Sequence, residues 1–426
     1  MAISIDDKIA KIIIWTLYFV GLYFSLFWFL ILLFDSKPNS KKKIKKFPYV
    51  SIILPMFNEE ESIERTLNSI YALDYPKKKL EIICVNDGST DNTLKILKKL
   101  NKTLNFKLIN QKNQGKYAAL NNALNKINSE YFACFDADSF TEPNSLKEMI
   151  MEFDDKNVAS VMPIMKVDNP ENILQRVQWL EYIINIFYKF LIGKLDCIHV
   201  TPGPFSIYRT KIIKKLGGFK KAHLTEDLEM ALRLQDNHYK LKQSLSAIIY
   251  TKSPKHLKAF ISQRTRWYQG TFFNIKDYKH FIFNKKFGDF GIFYIPLVAI
   301  TGFLALLGVL TATYLFLKNT YFMIKRMYLT HFDFITYFQN WHFNISLIDL
   351  NWQTIFESSF LMIIFFIIIY LAFIGTKEKI NFSKSIKYFL MFLYYFIIYR
   401  FIIAYIWGKV TYRIIFKKQN KWEKVN

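Results

Sequence analysis

Four groups of residues stand at spacings that could do chemistry. Asp136 and Asp138 flank Ala137 directly after the apolar run 131–135. Alternation along an extended chain aims both carboxylates the same way. Two like charges this close repel unless a cation shares them, and a hard cation such as Mg²⁺ or Mn²⁺ also takes phosphate oxygens. Asp87 lies in Val85-Asn-Asp-Gly-Ser-Thr-Asp-Asn-Thr93, where a carboxylate at a strand end can accept from a nucleotide base or ribose. Thr225-Glu226-Asp227 precedes an apparent helix over 228–234. Gln263, Arg266 and Trp267, at i, i+3 and i+4, share one helix face just before a hydrophobic span. Each group has a plainer alternative. Asp-Ala-Asp can be a solvated loop, and Asp-Gly a turn capping the next helix. Thr-Glu-Asp can be an N-cap with acidic first-turn residues, and the Arg–Trp face an interfacial anchor.

These residues need elements to hold them. Residues 50–54, 80–85, 106–109 and 131–135 read as short buried strands, and helical spacing over 60–72, 93–100 and 117–127 alternates with them. The alternation implies an α/β domain with a parallel sheet and helices on both faces. Polar residues follow the strand C-termini, where such sheets bind ligands. Residues 172–192 are amphipathic but interrupted by Arg176, Glu181 and Lys189, so they either lie in a membrane interface or pack on the sheet. Residues 256–275, which carry the Gln-Arg-Trp face, look similar.

The chain has 426 residues, 52% of them hydrophobic and 18% aromatic, high for a purely soluble protein. Residues 12–34, 290–317, 355–374 and 388–407 are each long and apolar enough to read as membrane helices. The first exceeds a signal-peptide core. The formal charge is +24, with lysines crowding beside the apolar spans. That placement points to anionic lipid at a cytoplasmic membrane face and argues against nucleic acid. The cluster from Lys37 to Lys46 puts the following domain in the cytoplasm and the short segment before the first span outside. Three crossings after that domain would leave the chain outside, yet Lys409, Arg413, Lys417, Lys418, Lys421 and Lys424 favour the inside. One of the three later spans is therefore expected to be interfacial or re-entrant. Cys84, Cys134 and Cys197 form no CxxC or Cys/His cluster. Cys84 and Cys134 sit in buried-strand runs, which fits a reducing compartment.

The order of motifs carries further meaning. Pro55-Met-Phe-Asn-Glu59, Asp87-Gly-Ser, Asn113-Gln-Gly-Lys116, Asp136-Ala-Asp138, Thr225-Glu-Asp227 and Gln263-Arg-Thr-Arg-Trp267 follow one another over 49–270. This resembles the inverting family 2 glycosyltransferases of GT-A fold, in the membrane branch with poly-N-acetylglucosamine, hyaluronan, chitin and cellulose synthases. Thr-Glu-Asp with Gln-x-x-Arg-Trp is the more specific pair. The length looks most like the poly-N-acetylglucosamine group. The resemblance implies a Rossmann-like nucleotide-sugar domain and an α-helical transmembrane region. The expected layout is a membrane helix and basic segment over 1–48, a cytoplasmic GT-A domain over 49–250, an interfacial segment over 251–289 and a membrane region over 290–426.

By the same resemblance, Phe57, Glu59, Asp87 and Lys116 would bind the nucleotide of a UDP-sugar. Phe57 replaces a frequent Tyr, which removes a hydroxyl contact. Asp136 and Asp138 would place Mg²⁺ or Mn²⁺ on the diphosphate, and Arg266 would contact the pyrophosphate. Asp227, within Thr225-Glu226-Asp227, would be the catalytic base. Gln263 and Trp267 would line the acceptor end. The implied product is a growing glycan. The alternatives are a single sugar placed on a lipid or polyprenyl-phosphate acceptor, or a non-catalytic membrane scaffold, although its acidic motifs are intact. Whether an accessory membrane subunit takes part is left open.

Overall fold

The computed structural model describes residues 5–34, 44, 46–329, 331, 352–376, 378 and 385–416. The chain divides into two units, Met1–Lys37 with Ile300–Leu371 and Pro38–Ala299 with Ala372–Asn426. The described residues of the first unit are almost all helical. It contains α1 (Ile5–Phe34), most of α10 (Ile295–Leu329) and most of α11 (Trp352–Gly375). A helix bonds every backbone amide within itself, which is why uncharged runs of this length take that form in lipid. Their large apolar side chains, among them Phe19, Phe303 and Phe316, stand exposed.

Three helical stretches among the described residues are long and apolar enough to cross a membrane: Lys8–Ile31, Phe290–Leu329 and Leu390–Ile415. The span expected at 355–374 falls in α11, whose described apolar part, Met362–Gly375, is shorter.

The second unit is built on an eight-stranded sheet. Its strands are β1 (Val50–Met56), β2 (Leu80–Asp87), β3 (Lys107–Gln111), β4 (Tyr131–Cys134), β5 (Ser139–Thr141), β6 (Val158–Val167), β7 (Ser206–Arg209) and β8 (Lys240–Thr251). Their order is β3-β2-β1-β4-β7-β6-β8-β5. The first four run parallel, with Val50 opposite Leu80 on one side and Tyr131 on the other. Every residue of β1 is buried, as a strand covered on both faces requires. The helices α2 (Ile63–Tyr71), α3 (Thr93–Leu100) and α4 (Lys116–Leu124) make the crossovers.

The sheet is mixed, and here the expectation of a purely parallel sheet is corrected. β7 pairs antiparallel with β4 and β6, and β5 pairs antiparallel with β8. α6 (Ile173–Lys194) starts with a capping box in which Asn172 accepts from the Gln175 amide. It buries Val177, Leu180, Ile183, Phe187 and Leu191. Gln175 and Gln178 donate to the Ser253 and Pro254 carbonyls, so α6 is bound to the segment after β8. α7 (Thr210–Lys215), α8 (Glu226–Asp236) and α9 (Leu257–Asp277) follow, and α12 (Ser385–Phe396) and α13 (Ile398–Ile415) complete the unit.

Candidate active site

The parallel strands end on one edge, and the loops beyond them wall a cavity of about 450 Å³. Phe57 and Glu59 come from the turn after β1, Asp87 from the end of β2 and Lys116 from the first turn of α4. Asp136 and Asp138 follow β4, Glu226 opens α8, and Arg266 reaches in from α9. Eight of the residues expected from sequence therefore meet here, from six separate stretches of chain.

Asp87 is buried and organises the rim. One carboxylate oxygen accepts from the Gln111 side chain at 2.8 Å and the Gln114 amide at 3.0 Å, and the other from the Gly115 amide at 2.8 Å. Gly115 has φ of +92°, open only to glycine at low cost, so Asp87 and Gly115 together fix the entry to α4. The turn after β1 is tied to the same rim. Asn58 donates its amide to Ser89 Oγ and accepts from the Thr90 amide, and the Glu59 amide donates to Thr93 Oγ1.

Lys116 lies at the centre. Its Nζ is 2.6 Å from Asp136 Oδ1 and 3.3 Å from Glu226 Oε1. Burial opposes its charge, but Asp136, Glu226 and Asp227 outweigh that and hold the ammonium well above its usual range. For Glu226, burial pushes the carboxyl up while Lys116, its backbone hydrogen bond and Arg266 pull harder, so the net shift is downward. Gly203, in Thr201-Pro-Gly-Pro204, packs against the Lys116–Asp136 ion pair. A Cβ there would come within 2.8 Å of Asp136 Oδ2, besides meeting Lys116 Nζ. Gly203 and Lys221, which lines the cavity, were not singled out from sequence; the Pro-Gly-Pro punctuation was the available signal.

Asp138 is pushed up to about 7 by burial first and then by the charges of Asp136 and Glu59. A carboxylate so disfavoured, with a second one two positions away, fits a divalent cation, and the donors are oxygens, as Mg²⁺ or Mn²⁺ prefers. Among the described residues no group of three or more His, Cys, Asp or Glu could hold a metal. Two protein carboxylates would then share the ion with the oxygens of a bound diphosphate.

Thr225, Asp227, Gln263 and Trp267 do not line the cavity. Thr225 is a buried post between α8 and α9: its hydroxyl accepts from Asn274 Nδ2 at 2.9 Å and donates to the Ala222 carbonyl. Gly270 passes so close that an added Cβ would lie 2.5 Å from Thr225 Oγ1. Asp227 sits beside Glu226 in the first turn of α8, where one oxygen accepts from the Leu228 amide at 2.8 Å. Burial and then the Glu226 charge push it up to about 6, against the pull of Lys116 and Arg266.

Gln263 and Trp267 belong to a second arrangement, centred on Arg264. This fully buried arginine donates to Glu181 at 2.7 Å and to Gln263 Oε1 at 2.9 Å, and its guanidinium lies 4.1 Å from the centre of the Trp267 ring. The Tyr399 hydroxyl donates to the same Glu181 oxygen at 2.6 Å. Arg264 thus fixes Gln263 and Trp267 while binding α9 to α6 and α13. Sequence reasoning passed over it, although it stands inside Gln263-Arg-Thr-Arg-Trp267.

The family model for glycosyl transferase family 2 matches residues 51–217. A probable glycosyltransferase, YdaM of Bacillus subtilis (strain 168), is 30% identical over 297 residues, covering 67% of this chain and 70% of that one. The chain belongs to glycosyltransferase family 2. The family domain thus accounts for the strand ends that build the cavity. Other relatives of this glycosyltransferase are poly-beta-1,6-N-acetyl-D-glucosamine synthases. That of Staphylococcus epidermidis is 29% identical over 266 residues, 60% of this chain and 64% of the synthase. That of Staphylococcus aureus (strain COL) is 30% identical over 230 residues, 52% and 54% respectively. The chain therefore matches somewhat less than two thirds of these synthases. In structure, the mannosyltransferase PcManGT of Pyrobaculum calidifontis, solved with GDP-Man and Mn²⁺, superposes with a TM-score of 0.63 at 18% identity, over 88% of this chain and 99% of that one. At that identity the likeness establishes the GT-A fold.

Proposed function

We propose that this family 2 member is a membrane-integral, inverting, metal-dependent enzyme. It would transfer a hexose or N-acetylhexosamine from a UDP-sugar to a growing polysaccharide, with N-acetylglucosamine polymer the favoured product. The observation that carries the reading is the meeting of Asp87, Lys116, Asp136, Asp138, Glu226 and Arg266 around one cavity at the sheet's ligand-binding edge. Likeness to the two staphylococcal synthases supports the polymer.

In this reading Phe57 stacks on the base, and Glu59 and Asp87 hold the uridine. Asp136 and Asp138 would hold the divalent cation, which would supply charge stabilisation for the departing diphosphate. Arg266 and Lys116 place fixed positive charge on the same leaving group, where it counts most as charge develops. Asp227 takes the proton from the acceptor hydroxyl as that oxygen attacks the anomeric carbon from the opposite face. The one displacement inverts configuration. Trp267, its ring oriented by Arg264, offers an apolar face to the acceptor sugar. The catalytic unit faces the cytoplasm, where UDP-sugars are made.

The test is purified protein in lipid nanodiscs, incubated with Mn²⁺ or Mg²⁺ and each of a panel of UDP- and GDP-sugars. The expected result is a mass ladder spaced by one N-acetylhexosamine from UDP-N-acetylglucosamine. A single sugar on a lipid would overturn the polymer, and transfer only from a GDP-sugar would overturn the donor.

A further inference from the structure

We propose that α1, α10 and α11 are the membrane crossings, and that α12 and α13 lie along the membrane surface on the catalytic side as an apolar, cation-flanked contact for anionic lipid. The inference rests on the membrane reading above, and it decides which later span does not cross.

The first observation is where the chain leaves and rejoins the catalytic unit. The turn Phe290–Tyr294 belongs to that unit, and Tyr294 there hydrogen-bonds to His199 at 2.8 Å. Residues Ile300–Leu371 then belong to the other unit, and the chain returns at Ala372. On return, Lys166 of β6 donates to the Thr376 carbonyl at 3.0 Å and pairs with Glu378 at 2.9 Å. Phe373 meets Trp179 of α6. An excursion that starts and ends on one body makes an even number of crossings. α10, of 35 residues, and α11, of 24 residues with an uncharged stretch over 358–375, supply two, that stretch lying within the range of about 17–25 residues a crossing uses.

The second observation is the course of the chain after the return. Tyr388 of α12 packs on Trp179. In α13, Tyr399 meets Phe260 of α9, and eight residues later Trp407 stacks on Tyr268, itself eight residues beyond Phe260. Equal steps on both helices mean that α13 runs alongside α9 in the same direction. A helix that follows another element of the catalytic unit over this distance is not leaving that unit.

The third observation is how α13 distributes its side chains. Tyr399, Ile406 and Val410 are buried, on the side turned to α9 and α6. Ile398, Phe401, Tyr405, Tyr412 and Ile415 are exposed and, at steps of three, four, seven and three, form one stripe. Arg400, Lys409 and Arg413 project beside that stripe. By length and composition alone Leu390–Ile415 could cross, but Arg400 and Lys409 stand inside it and would have to be taken through the bilayer, and no uncharged run in it reaches the roughly 20 residues of a crossing. Apolar residues flanked by cations suit the headgroup boundary of an anionic bilayer. With α13 on that surface, the lysines after it fall on the catalytic side, and the charge conflict of a third late crossing disappears.

The test compares two fusions of the full chain, each joined after Asn426. One carries green fluorescent protein, which fluoresces only when it folds on the cytoplasmic side. The other carries alkaline phosphatase, which is active only outside. Bright fluorescence with inactive phosphatase is expected, and active phosphatase with dark fluorescence would overturn the proposal. In parallel, single-site variants are labelled in intact cells with a membrane-impermeant maleimide, the three native cysteines being buried. His331→Cys, at the end of α10, should label; Lys95→Cys, on the catalytic unit, and Thr411→Cys, on α13, should label only after the membrane is opened. Thr411→Cys labelling in intact cells would also overturn it. Neither readout needs turnover, so failure of the proposed transferase activity leaves the topology standing, and the reverse holds as well.

Discussion

Asp227 is held between burial with a neighbouring carboxylate and two nearby cations, and the balance leaves it titrating near 6. The proposed base must be deprotonated to work, so kcat/KM, which reports groups of the free enzyme, should be flat above that value and fall about tenfold per unit below it. Asp227→Asn keeps the side chain's size and should cut kcat by about 10²-fold or more with donor affinity retained. Retention of the acidic limb in the surviving activity would assign it elsewhere. Gly203 offers a steric counterpart. Gly203→Ala places a methyl against Asp136 and Lys116, and rearrangement at a packed site of this kind costs about 1–3 kcal/mol. The expected outcome is a KM for the donor raised at least severalfold with little change in secondary structure, read by initial rates and circular dichroism. Asp138 is raised to about 7, and a cation binds its ionised form. Titration calorimetry with Mn²⁺ and UDP should therefore show weaker metal binding at pH 6 than at pH 8, by roughly tenfold. Equal affinity at both values would argue against Asp138 as a ligand.

At the level of elements, α9 joins two jobs: Arg266 faces the cavity while Arg264 ties the helix to α6 and α13. Arg264→Met would leave Glu181 with the Tyr399 hydroxyl but no cation, and breaking a buried pair from one side costs about 3–5 kcal/mol. It should lower the melting temperature and reduce activity per inserted enzyme, whereas Trp267→Ala should affect acceptor use with a smaller stability loss. A thermal shift unchanged by Arg264→Met would show that the pair is dispensable. The elements also show what could be read from the chain alone. β1, β2 and β4 are continuous apolar runs and were legible; so were α6 and α9, from their periodicity. β6, β7 and β8 were not. Pro163 interrupts β6, and it sits at a register shift against β8 that makes room for it. β7 is four residues long, and β8 mixes Lys240, Lys242 and Gln243 into its buried pattern. Their pairing comes from distant partners, which local pattern does not encode. α2 begins at Ile63 rather than at Glu60 because Asn58, at φ +58°, turns the chain towards the Ser89–Thr90 loop first.

For the whole molecule, the motifs were legible as types but not as an arrangement. Asp87, Asp136 and Thr225-Glu226-Asp227 are separated by up to about 140 positions, and only the sheet order brings their strand ends to one edge. That order also explains why the cavity lies wholly within the unit Pro38–Ala299 with Ala372–Asn426. Donor and metal should therefore stabilise that unit. With UDP at 100 times its dissociation constant in saturating Mn²⁺, protection of about 2.7 kcal/mol beyond that of Mn²⁺ alone is expected. Hydrogen exchange should report it in β1, β2 and β4 and leave α1 unchanged. Equal protection of α1 would mean that the units respond as one.

Lys116, which grips Asp136 at 2.6 Å and Glu226 at 3.3 Å, gives the site a resident counter-ion. In the proposed reading an arriving divalent ion would compete with that ammonium for Asp136, so metal alone would gain little. A diphosphate offers Lys116 a new partner and frees Asp136 as it does so. Metal and nucleotide then each raise the other's affinity by the same factor, since the coupling is reciprocal. The lysine thereby makes the pair of ligands an AND gate: the positive centre assembles when both are present, and the bare ion is left in solution.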